Sequence, residues 1–336
     1  MKIAIIGSNS YDSLEYNLQE SFIFNGHKCD IFDIYEHWYY QNRYLNKYTK
    51  IIDWMGRRFS DKYDKHVFTN ILHNVIAYNP DLVIGVYRFI HPSFVKIIKE
   101  NNIKIIHINP DQLTTFEYQQ LFVEPYDTYF TKDPYIQNFM SKNLKLNTLL
   151  YFEAFNSRLH KKPGIDKETC EKEIDIDVTT YGTIYPYRSR MLSYLNQEGI
   201  KLTIYGTRPN RFYNADLNLN FQNKYITGAE KSKILYGSKI VFNQMHYAEI
   251  ESVNNRFFEV NGAGAFQLSD YKPILKELLP IDPELVSFKS IDEGIEKVKF
   301  YLSHPSERYR IAEKVYAHFL NHYTYDHLIK YILKNI

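Results

Sequence analysis

E-S-V-N-N-R-F-F-E-V-N-G-A-G-A-F-Q-L, residues 251–268, holds the start, body and stop of a short helix and the strand that follows it. Ser252 or Asn254 can cap the helix, because a short side-chain oxygen accepts from the free N–H groups of a first turn. Residues 256–261 suit the helix itself, and Gly262 or Gly264 suits the left-handed residue that ends one. Residues 265–268 form an apolar run of strand length. A helix start of this kind offers N–H donors and a partial positive charge, which favours phosphate. Glu251 and Glu259 flank it at Glu-x7-Glu spacing. Carboxylates beside a phosphate site accept from sugar hydroxyls, so the arrangement suits a nucleotide-sugar. Taken alone the pattern is weak: the spacing arises by chance, and Arg256 with Glu259 at i,i+3 also fits a surface ion pair.

Outward from this stretch, strands and helices alternate. Before it come a strand at 177–181, a helix at 188–197, a strand at 202–205 closed by Gly206, a helix at 231–236 and a strand at 240–243. After it come a strand at 284–288 and amphipathic helices at 292–302, 306–318 and 325–333. The first half repeats the alternation. Residues 2–6 are a buried strand ending in Gly7-Ser8-Asn9-Ser10, and a helix over 13–25 puts Leu14, Leu18, Phe22 and Ile23 on one side with Gly26 closing it. Strands follow at 28–35, 81–87, 103–108, 127–131 and 146–151, with helices at 65–78, 91–100 and 134–141. Residues 37–64 are aromatic and polar without a clean period, an insertion or a mobile segment. Residues 156–173, charged and containing Pro163-Gly164, form a linker. The pattern predicts two Rossmann-like halves with a cleft at the carboxyl ends of their sheets. Gly7 has no second and third glycine at dinucleotide-fingerprint spacing, which argues against a dehydrogenase.

The bulk numbers agree. A chain of 336 residues fits two domains, and 44% hydrophobic with 24% charged residues is an ordinary globular composition. The 41 basic and 39 acidic side chains nearly cancel, so neither a nucleic-acid partner nor an anionic membrane is indicated, and Arg57-Arg58 is expected to be solvated surface. Cys29 and Cys170 cannot form a disulfide framework, and a reducing cytoplasm fits best. The apolar N-terminal run ends too early for a signal peptide or a membrane span.

Five pieces in order, Y-G-T-I-Y-P-Y-R (181–188), I-Y-G (204–206), S-K-I-V-F-N (238–243), N-N-R-F-F-E-V-N-G-A-G-A-F (254–266) and Tyr323-Thr324, make the second half resemble the CgeB-like glycosyltransferases. These are enzymes of the GT-B fold, related to the transferases that carry Glu-x7-Glu. The resemblance implies an α/β protein of two doubly wound domains: 1–155 for the acceptor, 156–320 for the donor, and a crossover helix at about 321–336. It implies that Glu259 holds the donor ribose and Glu251 faces the transferred sugar, although CgeB-like sequences often lack that first acid. Arg188 and Arg256 would neutralise the diphosphate, since a fixed guanidinium holds it bidentately. Asn255, Gly182, Tyr205, Gly206, Tyr225 and Gly264 complete the donor set, with the 205–207 and 225–228 segments at the base.

For the acceptor proton the candidates are Asp111 and His91, each following a strand, if the reaction inverts; a histidine before proline is also an ordinary helix start. Asp175-Ile176-Asp177 has the form of the metal motif of the other main glycosyltransferase fold, but it opens a strand away from any cleft mouth. No metal and no cofactor are therefore expected. His246, His322 and His327 show no ligand spacing. The expected partners are a nucleotide diphosphate-sugar and a carbohydrate, lipid-linked or protein acceptor, with no nucleic acid and no integral membrane segment. A sugar-nucleotide epimerase and a non-catalytic nucleotide or sugar binder are the alternatives. Glu259→Ala and Arg188→Ala are expected to weaken nucleotide binding without unfolding the protein.

Overall fold

A computed structural model of the chain describes residues 1–34, 46–86, 90–110 and 119–336. The chain divides into two compact units, Met1–Phe152 with Leu328–Ile336, and Glu153–His327.

Unit 1 is built on β1 (Lys2–Gly7), β2 (Lys28–Asp33), β3 (Leu82–Gly85), β4 (Lys104–Asn109), β5 (Thr128–Thr131) and β6 (Thr148–Leu150). All pair in parallel, in the order β2-β1-β3-β4-β5-β6. Ile3, Ala4, Ile5 and Ile6 are wholly buried, the continuous apolar run of a strand covered on both faces by crossover helices. α1 (Leu14–Phe24) begins at Ser13, whose side chain accepts from the Tyr16 N–H. Leu18 and Phe22 are buried as the period predicts, but Ile23 is 53% exposed. The stretch read as lacking a period is helical where it is described: α2 (Asn46–Phe59) is followed by α3 (Asp61–Tyr78), so the helix expected from 65 starts earlier, at its Ser60 cap. α4 (Pro92–Glu100) and α5 (Pro134–Asn143) complete the layers.

Unit 2 carries β7 (Ile176–Tyr181), β8 (Leu202–Tyr205), β9 (Ser238–Asn243), β10 (Gln267–Asp270) and β11 (Ser287–Phe288), parallel in the order β11-β10-β9-β7-β8. Its helices are α6 (Lys167–Ile174), α7 (Pro186–Gln197), α8 (Gly228–Gly237), α9 (Asn255–Gly262), α10 (Leu275–Leu278), α11 (Ile291–Ser303) and α12 (Pro305–His322). α6 lies inside the stretch read as a linker. Asp166 caps it by accepting from the Thr169 N–H at 2.9 Å, and its Glu171 meets the buried Arg308 at 2.7 Å. A last helix, α13 (Tyr325–Lys334), begins in unit 2 and carries the chain back into unit 1, where Tyr331 donates to the Leu150 carbonyl at 2.8 Å. No described helix is long and apolar enough to cross a membrane.

In both sheets the strand order reverses beside the first strand, at β1/β3 and at β7/β9. Open parallel sheets bind ligands at the carboxyl ends of strands at such a reversal. Cys29 and Cys170 are buried and unbridged. Burial pushes the Cys29 thiol up to about 12 and raises that of Cys170 as well. Only the thiolate reacts, so neither should be modified by an aromatic disulfide at pH 8 until denaturant unfolds the chain. Modification of either thiol in the native protein would contradict this burial.

Candidate active site at the carboxyl edge of the second sheet

α9 is fixed in place by amide side chains. Of the two possible caps it is Asn254 that acts, its Oδ1 accepting from the Phe257 N–H at 3.1 Å. Asn254 and Asn243, at the end of β9, exchange amide hydrogen bonds of 3.0 and 3.1 Å. Asn243 also donates to Gln267 on β10, which donates to the Phe257 carbonyl. The helix start is thereby tied to two neighbouring strand ends. Its stop is Gly264 at φ +74°, a conformation that disfavours any side chain, while Gly262 lies within the helix.

Two arginines meet where β7 and β9 end. Arg188, 1% exposed, donates to Thr180 Oγ1 (3.0 Å), the Tyr181 carbonyl (3.2 Å), Gln244 Oε1 (3.3 Å) and the Thr183 carbonyl. Arg256 bridges the two strand ends, Nη1 to the Tyr181 carbonyl and Nη2 to the Gln244 carbonyl, both at 2.9 Å. Neither guanidinium forms an ion pair with a described carboxylate; every acceptor is a neutral oxygen. Burial, and then the neighbouring Arg256, pull Arg188 well below the usual arginine range; burial pulls Arg256 down too, against the opposing tyrosines and acids. Asp270 at the end of β10 feels Arg256, yet burial raises its own pKa and its carboxylate accepts from the Met245 N–H. Desolvated cations without counter-ions are costly, and an anion at this place relieves that cost.

Glu259 lies one turn along α9 from Asn255 and is 6% exposed. Its Oε1 accepts from Lys231 Nζ at 2.8 Å and from Asn255 Nδ2 at 3.1 Å, and its Oε2 from Tyr181 Oη at 2.8 Å. The Arg256–Glu259 surface pair admitted by the spacing does not form; Lys231, from the first turn of α8, is the partner. A carboxylate has about four lone-pair sites, so Oε2 keeps one for a ligand hydroxyl. Two more buried polar atoms beside it, Gln244 Nε2 and Asn255 Oδ1, have no hydrogen-bond partner among the described residues. Lys231, Gln244 and Thr180 were not singled out by sequence reasoning, and Tyr181 was quoted only as the first residue of the 181–188 piece, with no role of its own. Lys231, Gln244 and Thr180 belong to no spaced motif, and only the burial of a lone lysine in a polar helix start would have marked one of them.

The other predicted residues are distributed around this centre. Gly182 donates its N–H to the Tyr205 carbonyl at 3.0 Å. Gly206 sits at φ +131°, where a Cβ would come within 2.6 Å of the Gly182 carbonyl oxygen, so the turns after β7 and β8 touch. Tyr205 is half-buried, Tyr225 is 64% exposed, and Glu251 is part-buried in the loop before α9. In unit 1, His91 caps α4, its Nδ1 accepting from the Ser93 N–H at 3.1 Å and its Nε2 lying 3.0 Å from Asp61. It borders a cavity of about 550 Å³ shared with Arg57, Asp61 and Asp64. Asp111 lies outside the described residues. Asp177 pairs with Lys239 at 2.6 Å at the amino end of β7. His246 packs among Tyr185, Tyr187 and Tyr247.

Two parallel-sheet α/β units of this topology have the GT-B fold. Residues 188–334 match the family described as glycosyl transferase-like. The chain is 22% identical over 240 residues to spore protein CgeB of Bacillus subtilis, which covers 61% of this chain and 73% of that protein, in line with the resemblance drawn from the motifs. Among solved structures, sucrose-phosphate synthase of Thermosynechococcus elongatus superposes with a TM-score of 0.68 at 11% identity, covering 99% of this chain and 98% of that one. HepE of Anabaena, in complex with UDP-glucose, superposes with a TM-score of 0.67 at 9% identity over 100% of both chains.

Proposed function

We propose that the chain moves a sugar from a nucleoside diphosphate-sugar, held by unit 2, to an acceptor hydroxyl. The observation that carries this reading is the pair of guanidiniums at the β7/β9 reversal, Arg188 buried and Arg256 part-buried, without carboxylate partners among the described residues and beside an acid that retains an acceptor site. Arg256 and the start of α9 take the diphosphate, whose departure is the charge-building step, and Glu259 takes a ribose hydroxyl. Positive charge from the protein then serves where a metal otherwise would, so no metal is required. The donor belongs to unit 2 because the matching turn of unit 1 is closed. There Glu15, 8% exposed, accepts from the Ser8 N–H at 3.0 Å, and its carboxylate fills the space beside Gly7. An anion would be repelled there. HepE was solved with UDP-glucose, which makes uridine diphosphate donors the first to try. The setting proposed is the cytoplasm, which suits two unbridged thiols.

The test is a panel of nucleotides and nucleotide-sugars scored by thermal stabilisation, then by product analysis with and without acceptor. One nucleoside diphosphate should raise the melting temperature by mass action, by several degrees at about a hundred times its Kd. A panel with no stabilising nucleotide refutes the donor site. Isomerised donor formed without acceptor refutes transfer in favour of epimerisation.

A further inference from the structure

Gln244, the residue that follows β9, touches both guanidiniums. Its side-chain Oε1 accepts from Arg188 Nε, from Arg188 Nη2 and from the Thr180 hydroxyl, each at 3.3 Å. Its main-chain carbonyl accepts from Arg256 Nη2 at 2.9 Å. The residue is wholly buried, and its amide nitrogen has no hydrogen-bond partner among the described residues.

For the fold alone, glutamine is a poor occupant of this place. A buried amide nitrogen without an acceptor destabilises, and a neutral acceptor leaves the desolvated charge of Arg188 uncompensated. A glutamate of the same shape would remove both faults. It has no N–H to orphan, and its carboxylate could hold Arg188 by the paired bonds that a guanidinium favours. The acids around the two arginines are engaged elsewhere. Glu259 pairs with Lys231 at 2.8 Å, Glu249 accepts from the Ser252 hydroxyl, and Asp270 accepts from the Met245 N–H at 2.6 Å. Resting on the donor site proposed above, we infer that Gln244 is a positioning residue. It fixes Arg188 and Arg256 at the ends of β7 and β9 and, being neutral, leaves their positive charge to the diphosphate. A single change of amide to carboxylate would let the site neutralise itself.

The test uses the full chain with inorganic pyrophosphate, which carries the charge of the donor without its base. Pyrophosphate should raise the melting temperature of the parent by mass action. Gln244→Glu should melt at or above the parent's temperature, yet bind pyrophosphate about tenfold or more weakly, because a like charge close to the anion opposes it. Gln244→Met is neutral and of similar length. It should melt lower, since Arg188 loses an acceptor, and should keep more affinity than Gln244→Glu. The stability order of the two variants is thus the reverse of their binding order, which a merely structural role would not produce. The role of Gln244 is overturned if pyrophosphate does not stabilise the parent, if Gln244→Glu binds it like the parent, or if affinity follows stability across the two variants. A parent that binds pyrophosphate and no nucleotide of the panel, with the reversed order intact, refutes the nucleotide-sugar donor and leaves the role of Gln244 standing.

Discussion

Arg188→Ala is expected to lower the melting temperature by about 6–12 °C, whereas Arg256→Ala leaves it within a few degrees and weakens nucleoside diphosphate binding about a hundredfold. The contrast comes from how each guanidinium spends its five N–H donors. Arg188 gives four of them to neutral oxygens in a fully buried place. Truncation leaves the Tyr181 and Thr183 carbonyls, the Thr180 hydroxyl and the Gln244 amide without that donor. Losing such buried partners costs about 1–3 kcal/mol each, partly offset by removing a desolvated charge; a net of about 3 kcal/mol gives the shift quoted for a domain of this size. Arg256 is only part-buried and gives two donors to the protein, leaving three for a ligand. Two charge-assisted bonds to a diphosphate, at about 1.5–3 kcal/mol each, account for a hundredfold or more. Calorimetric titration with the stabilising diphosphate, beside thermal melts, reads both effects. Undiminished binding by Arg256→Ala would remove the diphosphate from this place. The sequence placed the two arginines together but could not rank them, because rank depends on burial and on which carbonyls the turns present.

The two sheets were legible because their strands are short apolar runs set off by glycine, proline and caps. Ser13, Asp166 and Asn254 each act as the caps their residue types predict. Besides the single turn of α10, two helices were missed, for opposite reasons. α6 is so charged that only Cys170 and Glu171 are buried, and a helix held by ion pairs has no apolar period to read. α2 does have a period, but its apolar face looks outward, and a pattern alone does not say which side meets the protein. The same limit explains Ile23, whose spacing assigns it to the buried face while packing leaves it outside.

In the site, the candidate acid was visible through its spacing and its partner was not. Glu259 stands in a recognisable motif; Lys231 is 28 residues away on another helix and reaches it only because α8 and α9 pack side by side. Gln244 is likewise an unremarked residue after β9 that becomes central because it faces the end of β7. His91 went the other way: in sequence it was a candidate base, and in the fold its imidazole is occupied as a helix cap.

That hidden lysine changes what a Glu259 substitution should do. Glu259→Ala leaves Lys231, 5% exposed, without its carboxylate, and breaking one side of a buried pair costs about 3–5 kcal/mol. The variant should therefore lose stability as well as nucleotide binding, in place of the binding loss alone that the motif implies. Lys231→Met should destabilise comparably by orphaning the acid. The double change, Lys231→Met with Glu259→Leu, removes both charges together and should recover most of the lost stability, since apolar replacements of buried ion pairs are often neutral or better. It should not recover binding, because no acceptor remains for a ligand hydroxyl. Melting temperatures and nucleotide titrations on the three variants separate the two roles. If the double variant both folds and binds like the parent, the pair is only packing and Glu259 loses its place in the donor site.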